Sequence, residues 1–109
     1  MRKIEADMIA AIRAHRPWKS ANTQVSICPT TGLAYVYLHG NLIATECGPG
    51  WMICDCGWQT TTTKSRLNAI LTSLFDRPIS LFQRNNQWRF KDNGITTLVE
   101  PHDMNLVRF

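Results

Sequence analysis

Long apolar runs are missing from this chain of 109 residues. The longest purely apolar stretches span a few residues, far short of the roughly 20 that a bilayer-crossing helix needs. The opening segment MRKIEADMIAAIRAHR carries acids inside its apolar pattern, so neither a membrane span nor a secretory signal is expected. The four cysteines, Cys28, Cys47, Cys54 and Cys56, are therefore expected as reduced, buried thiols of a cytosolic protein. Knuckle spacing of the C-x₂₋₄-C kind is also missing. Cys54-Asp55-Cys56 is a C-x-C, whose thiols point to opposite faces of a strand, so no metal site is expected. Carboxylates are few and scattered singly, with no motif that pairs two for acid and base work. No nucleophile elbow or oxyanion motif accompanies the thiols and His15, His39 and His102. Gly48-Pro49-Gly50 contains a proline and leads into no helix, so it is neither a P-loop nor a dinucleotide fingerprint. These absences argue against an enzyme and against a bound cofactor.

What is present is the pattern of one α+β domain over residues 1–109. Ile4, Met8, Ala11 and Ile12 recur at helical spacing from Lys3 to Arg16, and Pro17 supplies a stop. Thr23–Cys28, Ala34–Leu38 and Leu42–Thr45 read as a three-stranded meander, turning at Pro29–Gly32 and Gly40-Asn41. That second turn pairs Leu38 with Ile43 and puts Val36, Leu38 and Ile43 on a core face, with Tyr35, Tyr37 and His39 opposite. Gly48 to Gly50 reads as a linker into WMICDCGW, a short strand or tight hairpin ending at Gly57. Leu67, Ile70, Leu71, Leu74 and Phe75 form the stripe of a core-facing helix, capped by Thr61, Thr62 or Thr63, with Lys64, Ser65, Asn68 and Thr72 outward. Ile79–Gln83, Gln87–Lys91 and Ile95–Val99 make a second meander, turning at Asn85-Asn86 and Asn93-Gly94. The expected architecture is an antiparallel sheet of two meanders with two helices on one face.

The formal charge is +4, and it is unevenly placed. From Lys64 to Lys91 six basic side chains stand against Asp76 alone. Such a stretch favours an anionic partner, and Lys64, Arg66, Arg84, Arg89 and Lys91 are the candidate nucleic-acid contacts. Trp88 or Phe90 can stack on a base, although strand alternation equally puts both in the core. The polar side of the second helix, Lys64, Ser65 and Asn68, can also meet phosphates. Trp18 and Trp51 can anchor a protein partner or close the ends of the core, and Trp18, Tyr35 and Tyr37 are the candidate anchors. A pocket formed around Tyr35, Tyr37 and His39 would instead mark a small-ligand or nucleotide binder. Open strand edges admit a homo-oligomer under either macromolecular reading.

NTQV at Asn22, YLHGNLIA at Tyr37 and GWQTTTTKSRLNAIL at Gly57 resemble a widespread group of small proteins of tailed bacteriophages. The shared features are an HGN hairpin, a Gly-Trp followed by a Thr-Thr-Lys-x-Arg-Leu-Asn block, and a strand like FQRNNQW; the match runs from about Asn22 to Trp88. The resemblance brings no catalytic residue to this chain, and the C-x-C is not a feature of the group. It implies a non-enzymatic accessory protein in the cytoplasm of an infected host bacterium, binding nucleic acid or a host enzyme or defence complex.

Overall fold

The computed structural model describes residues 1–109. Helix α1 (Lys3–Ala14) buries Met8, Ile9, Ala11 and Ile12. It ends before the expected Arg16 because His15 turns left-handed at φ 49°, and the Arg16 N–H closes back on the Ala11 carbonyl at 3.0 Å. Strand β1 (Trp18–Ser20), which the sequence pattern does not reveal, pairs with β2 (Thr23–Ile27).

Strands β3 (Ala34–Leu38) and β4 (Asn41–Cys47) turn on His39-Gly40, at φ 51° and 78°, rather than on Gly40-Asn41. Two successive left-handed residues suit a tight hairpin between twisted strands. Leu38 therefore pairs with Asn41, not Ile43, and a bulge at Ile43 lets Ala44 face Val36. Both Ile43 and Ala44 thus reach the core beside Val36 and Leu38, while Tyr35 and Tyr37 stay half-buried on the other face. The expected faces are right; the expected register is not.

Gly48-Pro49 is a hairpin turn rather than a linker, since Cys47 pairs with Gly50 at the start of β5 (Gly50–Cys54). A further unexpected strand, β9 (Met104–Arg108), adds to the far side of β5. The approach is so close that a Cβ on Gly50 would collide with the Val107 carbonyl. The six strands run β1-β2-β3-β4-β5-β9, all antiparallel.

Helix α2 (Thr61–Leu74) is capped one residue before the expected Thr61, Thr62 or Thr63: the Thr60 hydroxyl accepts the Thr63 N–H at 3.1 Å. Strands β6 (Ile79–Arg84), β7 (Gln87–Asp92) and β8 (Ile95–Val99) form the second meander, as a separate three-stranded sheet. One apolar core joins all of these elements, from Met8 and Ile12 through Trp51, Ile53, Leu67 and Ile70 to Leu81, Trp88 and Val107. The class is α+β, as expected, with the strands divided between two sheets.

Candidate nucleic-acid interface

The three-stranded sheet owes its register to asparagine. Asn85-Asn86 (φ 53° and 59°) and Asn93-Gly94 (φ 50° and 85°) give two-residue turns that pair Arg84 with Gln87 and Asp92 with Ile95. Alternation then sends Leu81, Trp88 and Val99 to the core. On the opposite face Phe82, Arg89 and Leu98 form one cross-strand row, Ser80, Lys91 and Thr96 a second, and Arg84 with Gln87 the end of the sheet.

Arg84, Arg89 and Lys91 therefore share one face. None of them is ion-paired within the chain, for the four ion pairs are Lys3–Asp7, His15–Glu46, Arg66–Glu5 and Arg77–Asp92. Arg89 is held between Phe82 and Leu98, and its Nη2 donates to Gln87 Oε1 at 3.2 Å. Its Nε is buried and meets no acceptor. An unsatisfied buried donor costs about 1–3 kcal/mol, which an incoming anionic oxygen would offset.

The aromatic ring on this face is Phe82, half-buried opposite Arg89. Trp88, a candidate base-stacking ring, is 1% exposed in the core, and Phe90 packs against that core from the inner face. The Asn-Asn turn expected from the sequence already implies this: it fixes Phe82 against Arg89 once Arg84 and Gln87 flank it.

Arg66 is not a surface cation. Its Nη1 lies 2.8 Å from Glu5 Oε2 and its Nε donates to Thr23 Oγ1 at 3.0 Å, so α1, α2 and β2 meet there. Ser65 also donates to the Glu5 carboxylate. Burial pushes the Glu5 carboxyl up, but hydrogen bonds from Ser65, the Arg2 N–H and Arg66, with the Arg66 charge, outweigh it and hold Glu5 below its usual range. Asn68 is not free for phosphate either: its amide donates to the Leu81 carbonyl at 2.9 Å and accepts the Leu81 N–H at 2.7 Å, standing in for a neighbouring strand beside β6. The supposed outer side of α2 is thus largely an internal polar seam. Lys64, half-buried and unpaired one turn before Asn68, remains available beside β6.

The candidate protein anchors divide. Trp18 packs partly buried against the core, and Trp51 is in it at 1% exposure. Tyr35 and Tyr37 lie on the face of the larger sheet opposite Val36 and Leu38. The row through Tyr35 continues across Thr45 and Met52 to Leu106, and Tyr37 pairs with Leu42. The main concavity, about 430 Å³, is elsewhere, lined by Leu38, His39, Asn41, Ile43, Asp55, Trp58, Thr60, Thr62 and Thr63. His39 reaches it; Tyr35 and Tyr37 do not, so the three do not line one pocket as a small-ligand binder built on them would require. Trp58, 62% exposed, was overlooked in the sequence because nothing in its spacing separates it from a core tryptophan.

All four cysteines are free and half-buried. The C-x-C thiols do not diverge as a strand would require, because β5 ends at Cys54 and Cys56 sits at φ 55° with its N–H on Cys54 Sγ at 3.2 Å. Burial, reinforced by Cys54, pushes the Cys56 thiol up to about 11. Cys28 behaves oppositely. Hydrogen bonds from the Thr31 side chain and from the Thr31 and Thr30 N–H groups bring its thiol down to about 7. No three His, Cys, Asp or Glu side chains converge as metal ligands would.

No helix is long and apolar enough to cross a membrane. No curated protein and no solved structure matches the chain. Residues 1–105, nearly the whole chain, match the family described as Kyanoviridae Gp96 protein. The resemblance to small phage proteins is thereby supported at the level of the family: this chain belongs to the Kyanoviridae Gp96 proteins, a family of phage proteins.

Proposed function

We propose that this phage protein is a non-enzymatic accessory protein of the infected host cytoplasm that binds nucleic acid through the outer face of the β6–β7–β8 sheet. Arg84, Arg89 and Lys91 contact phosphates, Lys64 extends the positive surface along α2, and Phe82 offers a ring to an unpaired base. The observation that carries this reading is the buried, acceptor-less Nε of Arg89 on a face whose cations have no carboxylate partners. Cations neutralised within the chain would release few counterions on binding; unpaired ones release their full share. An open sheet face with one ring and several cations favours single strands, whose bases are free to stack.

The test is equilibrium binding of labelled single-stranded DNA, single-stranded RNA and duplex DNA across a salt series. Binding that prefers single strands and weakens steeply with salt supports the proposal; no binding to any of the three at low salt overturns it.

A second reading, binding of a host protein, rests on the other sheet. Leu42, Met104 and Leu106 are exposed on the sheet face that also carries Tyr35 and Tyr37. Trp18 contributes less to such a surface than its sequence position suggests, because it leans on the core. The outer edge of β9 beside Met104 and Leu106 is also where a second copy could pair. Loss of host-protein capture on Tyr37→Ser, with nucleic-acid binding unchanged, would favour this reading.

A further inference from the structure

The cleft beside Trp58 has a composition that the basic sheet face does not explain. Its apolar walls are Leu38 and Ile43, both nearly inaccessible, and the indole of Trp58, 62% exposed. An exposed indole at the rim of a recess gives a flat ligand a ring to stack on. The cleft's volume of about 430 Å³ lies in the range of small-ligand sites.

The loop that carries the indole is held in place. Asp55, 2% exposed, accepts the Gly57 N–H at 2.7 Å and the His102 N–H at 2.9 Å on Oδ1, and Gln59 Nε2 at 2.9 Å on Oδ2. The Trp58 N–H donates to the Asp55 carbonyl and the Trp58 carbonyl accepts the Thr60 N–H, each at 2.9 Å. Gly57, at φ 80°, lies so close to the His102 ring that a Cβ there would strike it. This loop is ordered by folding, so a ligand stacking on Trp58 would not have to immobilise it.

The polar groups narrow the ligand class. The Asn41 carboxamide, the His39 imidazole and the Thr62 hydroxyl line the cleft and make no side-chain hydrogen bond within the chain. The one carboxylate in the lining, Asp55, already has both oxygens engaged. The cleft thus lacks the free acid that commonly grips sugar hydroxyls or a cation. It offers the exposed indole of Trp58 for one face of a flat ring, and an amide with adjacent donor and acceptor for its edge. That is the combination by which proteins hold a nucleobase.

We infer that the cleft between the β3–β4 turn and the Trp58 loop binds a nucleobase, stacked on Trp58 and hydrogen-bonded at its edge by Asn41 and His39. The base belongs either to a free mononucleotide or to an unpaired position in a strand. The inference does not depend on the basic sheet face, because Arg84, Arg89 and Lys91 do not line the cleft.

The experiment titrates the whole chain with adenosine 5′-monophosphate, ribose 5-phosphate and a short oligodeoxyadenylate, reading affinity by isothermal titration calorimetry in every variant and tryptophan fluorescence in the wild type. The wild type, Trp58→Ala, Asn41→Ala and the triple variant R84E/R89E/K91E are compared. Trp58 is exposed, so its replacement should leave the thermal melt unchanged. The expected result is saturable quenching by the mononucleotide and none by ribose 5-phosphate. Affinity should fall about tenfold or more in Trp58→Ala, fall less in Asn41→Ala, and persist in the triple variant. Calorimetric binding of the oligonucleotide alone, lost in Trp58→Ala, would support the cleft and assign the base to a strand. No quenching by either base-containing probe would overturn the inference, as would equal binding of ribose 5-phosphate or undiminished binding by Trp58→Ala.

Discussion

The Arg66 guanidinium stands 2.8 Å from the Glu5 carboxylate, with both side chains at most 4% exposed and 61 residues apart in the chain. Breaking such a pair strands a buried charge. Arg66→Met should therefore destabilise by about 3–5 kcal/mol, whereas replacing both partners by Glu5→Leu and Arg66→Met should cost clearly less. Urea unfolding of the two variants checks this; equal losses would mean that the pair is not coupled.

The same carboxylate makes the fold acid-sensitive. The Glu5 pKa is lowered in the folded state, so its stabilisation is fully present above the unfolded value near 4.5. It is lost as pH falls through the lower folded value. The urea midpoint should drop below about pH 4.5, and this component of the drop should vanish in Glu5→Leu/Arg66→Met.

Asn68 is expected to act as a side-chain strand cap. Asn68→Ala leaves the Leu81 N–H and carbonyl without their partner and should cost about 1–3 kcal/mol. Faster amide exchange at Leu81 than at Trp88, read by NMR, would locate the loss at the β6 edge. Unchanged Leu81 exchange would contradict the clamp.

Much of this was legible. The stripe Leu67, Ile70, Leu71 on α2 and the Asn-Gly and Asn-Asn turns needed only local geometry, and they are where expected. Arg66 was misread as a surface cation, although it lies three residues after Thr63 and four before Ile70, on the buried side of the helix. Glu5 likewise precedes Met8 and Ile9 on the buried side of α1. Two opposite charges, each inside an apolar stripe, are the signature of a buried pair. The bulge at Ile43 was not legible because it goes with a turn centred on His39-Gly40 rather than on Gly40-Asn41, and the strand Met104–Arg108 was not because its partner, Gly50 to Cys54, is distant in sequence. The cleft depends on distance too, since the β3–β4 turn and the Trp58 loop meet only in the fold.

Cys28 should be the reactive thiol. With its pKa brought down to about 7, alkylation by iodoacetamide should reach half its maximal rate near neutral pH, while Cys56, pushed up to about 11, lags throughout. Mass-spectrometric mapping against pH reads this directly, and Thr31→Val should move the Cys28 midpoint upward. A Cys28 midpoint near 9 in the wild type would contradict the hydrogen-bonded thiolate.

The central claim, that Arg84, Arg89 and Lys91 form one phosphate-binding face, is tested most directly by the salt dependence of single-strand binding in the wild type and in R84E/R89E/K91E. Counterion release assigns each phosphate contact a slope of roughly 0.7 in log K against log salt, so the three reversals should remove about two units of slope along with most of the affinity. The account predicts that loss with an unchanged thermal melt; a folded triple variant that binds with the wild-type slope would contradict it.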